Sequence, residues 1–112
     1  MRAEELKGHL DAMLLAALEA GPRHGYAVME ALRQSTGGRL DLPTGTIYPA
    51  LRRLEQAGLI TGSWSVVGGR RRREYRLTAA GRRALSGKRA DWRDFAAMVS
   101  AALEARPWPN PA

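Results

Sequence analysis

Two groups of side chains in this sequence have chemistry to offer. The first is basic and hydroxylic: Thr44, Thr46 and Tyr48 in LPTGTIYPALRRL, the pair Arg52-Arg53 just after them, and the run Arg70 to Arg73 after Gly68-Gly69. Guanidinium groups donate in a planar fork to phosphate oxygens or guanine edges, so this pattern suits a nucleic acid. Whether each arginine reads bases or holds phosphates is left open by the sequence. The second group is His9, Asp11 and His24. Two histidines separated by a helix and a turn match no metal-ligand spacing. No cysteine is present, which excludes disulfides, thiolate zinc sites and thiol catalysis. Neither an enzyme nor a cofactor is expected.

The whole chain agrees in sign. Its 112 residues carry 18 Lys+Arg against 11 Asp+Glu, a net charge of +7. That balance favours an anionic partner, although ribosomal, membrane-surface and DNA-binding proteins share it, so the distribution of charge must decide. The length fits one domain with a modest core that a partner completes. The apolar stretch at residues 12–18 follows Glu4, Glu5 and Asp11 and is far shorter than the ~20 residues of a membrane span. A soluble, cytoplasmic protein without a membrane partner is expected.

The elements that must position these groups follow from periodicity. Leu6, Leu10, Met13, Leu14, Ala17 and Leu18 recur at three- and four-residue intervals and predict a helix from Leu6 to Ala20, ended by Gly21-Pro22. Val28, Met29 and Leu32 predict a second helix after His24-Gly25-Tyr26, stopped at Gly37-Gly38. In the third, Ile47, Ala50, Leu51 and Leu54 share one arc, with Gly45, Pro49, Arg52 and Gln56 opposite, Thr46 and Arg53 on one flank and Tyr48 on the other. Pro49 removes a bond to the Gly45 carbonyl, so an irregular first turn is expected. Gly58 supplies the terminal cap. Alternation from Ile60 to Val66 and again toward Tyr75 and Leu77 predicts a hairpin turning at Gly68-Gly69. If the loop is the two glycines, Ile60 stands opposite Leu77 and Trp64 opposite Arg73 on the inner side, with Arg70, Arg72 and Arg76 outward; a longer loop keeps the alternation but moves the pairs. Arg71 and Arg73 are then free to cover Trp64 or bond carbonyls.

Thr78 caps a last helix running to about Ala105. Leu85, Trp92 and Val99 stand seven apart, with Phe95, Ala96, Ala102 and Leu103 between, an apolar seam of about three heptads that no other predicted element is long enough to cover. The expected fold is mainly α with a small β-hairpin (α+β): a winged helix-turn-helix over residues 1–78, a dimerisation helix over 79–105, and a disordered proline-rich tail over 106–112. In this arrangement the third helix packs its inner face on the first two and offers its outer face to a major groove. The arginine cluster at the hairpin tip gains nothing from local folding, which a backbone-contacting wing explains.

The segments HGYAVMEAL, LPTGTIYPALRRLEQAGLI and RRREYRLTAAGRRAL resemble the PadR family of bacterial transcription regulators, over roughly residues 6–104. The resemblance implies a homodimer closed by its last helices, with the recognition helix and wing of each subunit on a palindromic duplex DNA operator, usually as a repressor. By motif position Thr46, Tyr48 and Arg52 fall where members contact DNA, and Tyr26 lies in the HGY segment near a phosphate. Pro43 stands where a polar residue usually caps the recognition helix, which makes Thr44 the candidate cap as well as a candidate contact. Arg53, Arg70 and Arg72 complete the expected DNA-binding set. Leu85, Trp92, Val99 and Leu103 form the expected dimer interface. Because some relatives bind flat aromatic or lipophilic compounds between subunits, Trp92 and Phe95 form a candidate effector platform. Plain interface packing is the alternative for Trp92. Two other functions compete: a winged helix meeting an acidic protein partner, and nonspecific RNA binding through the arginine run, which would lack the dimer seam.

Overall fold

The computed structural model describes residue 6 and residues 8–107. Its elements in chain order are α1 (Leu10–Ala17), β1 (Arg23–His24), α2 (Gly25–Ser35), α3 (Thr44–Gln56), β2 (Ile60–Val67), β3 (Arg70–Leu77) and α4 (Ala79–Leu103). The three strands form one antiparallel sheet in the order β1-β3-β2. The expected α+β winged helix-turn-helix with a long last helix is thus the observed architecture.

The core sits where the predicted stripes meet. Leu14 and Leu15 of α1, Val28 of α2, and Ile47 and Leu51 of α3 are fully enclosed. Ile60, Tyr75 and Leu77 close it from the sheet, and Leu85 from α4. Burial of a side chain of this size contributes about 1.5–3 kcal/mol, so this cluster holds α3 against the other helices. The α2–α3 connection is fixed by Thr36, whose hydroxyl donates to the Leu32 carbonyl at 2.7 Å and accepts from Leu40 N–H at 3.0 Å.

Four sequence expectations are corrected. The first helix is shorter than Leu6–Ala20. Gly8 has φ +91°, and after Ala17 the chain tightens into i→i−3 bonds, Leu18 to Leu15 and Glu19 to Ala16, while Arg23 Nε takes the Ala17 carbonyl at 2.8 Å. The start of α3 is regular despite Pro49. Thr46 and Ile47 both donate to the Pro43 carbonyl at 2.9 and 3.1 Å, and the Gly45 carbonyl that proline deprives belongs to an exposed residue, open to water. The segment read as a tight turn before α2 contains β1, which pairs Arg23 with Tyr75 and His24 with Glu74. Two residues are too few for a periodic signal. Finally, α4 ends at Leu103 rather than Ala105. The tail beyond residue 107, expected to be disordered, lies outside the described residues.

With 25 residues, α4 is about 37 Å long. Its start is fixed by Thr78, whose hydroxyl accepts from Gly81 N–H at 3.0 Å and donates to the Gly58 carbonyl at 2.7 Å.

Candidate nucleic-acid interface

The two flanks of α3 are each tied to a neighbour, and its outer face is left open. Gly45, Pro49, Arg52 and Gln56 are exposed. On one flank, Arg53 donates to the Asp11 carboxylate of α1, and Thr46 is half-buried. On the other, Tyr48 lies over Gly25, where any Cβ would overlap the phenol ring, and Glu55 accepts from Arg73 of β3. Gly25 therefore leaves the space in which the Tyr48 ring lies against the start of α2. Thr44 is exposed and is the first helical residue. Pro43 holds the cap position and no side chain bonds there, so the expected capping by Thr44 does not occur.

The wing follows the two-glycine turn. Gly68 and Gly69 have φ of +58° and +77°, as a type I′ turn requires, and the register joins Ile60 to Leu77 and Trp64 to Arg73. Alternation then sorts the four arginines. Arg71 and Arg73 share a face with Trp64, their guanidinium carbons 4.7 and 5.6 Å from its ring centroid. Arg70 and Arg72 point to the other face and are exposed. Trp64 is 59% exposed instead of facing the core, because the hairpin outruns the core beyond Ile60. Lower down, burial pushes the Tyr75 phenol up, partly offset by Arg73.

Between α2, α3 and the wing runs a groove of about 610 Å³ lined by His24, Tyr26, Tyr48, Trp64 and Arg71 to Arg73. Tyr26 is 66% exposed at its rim. The structure thus gathers Tyr26, Tyr48 and Arg72 around one groove, and leaves Thr44, Arg52 and Arg70 exposed on α3 and the wing. It turns Thr46 and Arg53 toward α1. Three residues outside the sequence-derived set belong here: His24, Glu55 and Arg73. His24 directly precedes a helix start, a position whose side chain commonly caps, whereas the contact between Glu55 and Arg73 spans a hairpin and leaves no local trace.

At the far end, Leu85 is buried in the chain's own core. Its assignment to the dimer seam is corrected, since the fold itself covers that turn of α4. Trp92, Phe95, Met98 and Leu103 are exposed, and Val99 is half-buried. The start of α1 lies beside one stretch of α4 without covering the stripe. His9 meets Trp92 edge-on at 5.3 Å, Trp92 and Phe95 lie 6.2 Å apart, and these rings share a groove of about 570 Å³ with Ala12, Met13 and Ala16. Arg89 holds Glu19 through two bonds of 2.7 and 2.8 Å. Among the described residues no group of three or more His, Cys, Asp or Glu could hold a metal, and no helix is long and apolar enough to cross a membrane.

A winged helix with a basic wing and an open recognition helix defines a DNA-binding regulator. The profile of the transcriptional regulator PadR-like family matches residues 14–87, and the chain belongs to that family. It is 42% identical over 77 residues to a transcriptional regulator of Mycobacterium tuberculosis, a match covering 69% of this chain and 59% of that one. The crystal structure of a PadR family transcriptional regulator from Eggerthella lenta superposes with a TM-score of 0.80 at 32% identity, covering 92% of this chain and 88% of that one. A transcriptional regulator from Clostridium thermocellum gives 0.81 at 26% identity, covering 88% and 96%. Regulators of this family bind DNA and are not enzymes.

Proposed function

We propose that this protein is a homodimeric, cytoplasmic repressor that binds a palindromic operator and releases it when a planar aromatic or lipophilic effector binds. In this reading residues 1–78 form the DNA-binding unit and 79–105 the dimerisation helix. Arg52 and Thr44 enter the major groove, with Thr46 and Tyr48 at its edges. Tyr26, Arg70 and Arg72 hold phosphates. Arg53, already bonded to Asp11, sets the tilt of α3 as well as adding charge. Trp92, Val99 and Leu103 meet their counterparts across the two-fold, and Trp92 with Phe95 forms the effector platform.

The observation that carries this reading is that α3 leaves Arg52 exposed on its outer face beside a wing that exposes Arg70 and Arg72, with Glu55 and Arg73 joining the two elements. The exposed apolar stripe of α4 supports the dimer, because monomers rarely leave such a surface uncovered. The test is selection of fragments from random duplex DNA by the purified protein, with sedimentation run alongside. Enrichment of an inverted repeat by a dimer is expected. Binding without sequence preference, or retention of only an acidic protein, would contradict the proposal.

A further inference from the structure

His24 occupies an unusual position between two donors. Its Nδ1 accepts the Ala27 N–H at 3.2 Å and thereby caps α2, while its Nε2 lies 3.1 Å from Arg72 Nη1. A backbone N–H can only donate, so Nδ1 receives it with a lone pair. A neutral imidazole has a single N–H, which is then on Nε2. Guanidinium nitrogens also only donate. Two donors therefore confront each other where the groove between α2 and the wing opens, an arrangement completed by an oxygen that accepts from both.

We infer that His24 Nε2–H and Arg72 form a two-pronged clamp for one backbone phosphate of DNA. The inference rests on the DNA-binding reading above and adds a contact to it. Pairing of β1 with β3 fixes the two prongs, since His24 stands opposite Glu74 and Arg72 is two residues along the same strand face. Glu74, the nearest acid in that register, is engaged by Arg76 at 3.5 Å. The residues lining the groove include no carboxylate, and Tyr26 and Tyr48 border it. A phosphodiester oxygen suits this site better than a neutral acceptor because Arg72 supplies charge and His24 supplies direction. The clamp makes the helix cap and the phosphate contact interdependent: the bond that caps α2 selects the tautomer that donates to DNA.

The test is a double-mutant cycle on duplex DNA selected by the wild-type protein. His24→Asn retains a side-chain oxygen for capping but removes Nε2–H. It is expected to weaken binding about 10- to 100-fold, as loss of one hydrogen bond to a charged phosphate would, and to cause no further loss in an Arg72→Ala background. Arg72→Ala should lower the salt dependence by about 0.9 in log–log slope, whereas His24→Asn should leave the slope unchanged, because a neutral imidazole releases no counterion. Wild-type affinity in His24→Asn, or equal losses in both backgrounds, overturns the clamp. Absence of DNA binding by the wild type overturns the underlying reading and the clamp with it. Imidazole ¹⁵N NMR of the wild type gives an independent check, with the Nε2–H tautomer expected and the Nδ1–H tautomer contradicting the proposal.

Discussion

Glu55, near the end of the recognition helix, accepts a hydrogen bond from Arg73 in the wing, and both side chains are about one-third exposed. This pair gives α3 and the hairpin a common orientation. Removing it with Glu55→Ala is expected to cost at most about 1 kcal/mol of stability. It should weaken binding to all DNA sequences alike, since every group that reads a base remains in place. Thermal melting and a cycle with Arg73→Ala check this, and additive losses would show that the pair does not couple the two elements.

Arg52 and Arg53 are adjacent but should behave differently. Arg52→Ala is expected to relax preference at one base position in each half-site, worth ~1–3 kcal/mol of discrimination if its contact is bidentate. Arg53→Ala releases Asp11 and should act through helix tilt, with a uniform loss across sequences. Competition assays against single-base operator variants separate the two outcomes.

Arg70 and Arg72 reach outward from the wing. Replacing both with alanine should lower the salt slope by about 0.9 for each phosphate no longer neutralised and leave sequence preference intact. Affinity measured across a salt series reads this directly.

Most of this interface is legible in the chain because it rests on local rules. The arc of Ile47, Leu51 and Leu54 determines which way Arg52 faces, and two glycines set the wing register, which pairs Trp64 with Arg73. What escapes depends on contacts between distant segments. The two-residue strand Arg23–His24 exists because β3 pairs with it, and Arg53 turns to Asp11 because α1 packs beside α3. Heptad spacing assigns Leu85 to the seam. Periodicity shows only that a position is apolar, and here the surface that buries it belongs to the chain's own core.

Trp92 should matter at the opposite end. Trp92→Asp is expected to shift the dimer toward monomer in sedimentation, and Trp92→Ala to abolish release of DNA by any planar aromatic compound that releases it from the wild type. Coupling of this kind is typically about 1–3 kcal/mol, and DNA must weaken ligand binding by the same factor. Release that persists unchanged in Trp92→Ala would remove the platform from the account.

Acid should loosen the attachment of the turn after α1 to α4. The Arg89 guanidinium bonded to Glu19 holds that carboxyl below its ordinary value of 4.5. A folded-state pKa below the unfolded one contributes stability that is fully present above the ordinary value and is lost as pH falls through the lowered one. Glu19→Gln should therefore flatten part of the decline in melting temperature below pH 4.5, and an unchanged profile would show that the pair adds nothing.

Hydroxyl-radical footprinting on the selected DNA shows whether two recognition helices and two wings grip one operator. Protection related by a two-fold axis is expected, with half-site centres about one helical turn, ~34–36 Å, apart. The flanking backbone protection attributed to the wings should disappear when Arg70 and Arg72 are replaced. A single asymmetric patch, or uniform protection along the duplex, would contradict that arrangement.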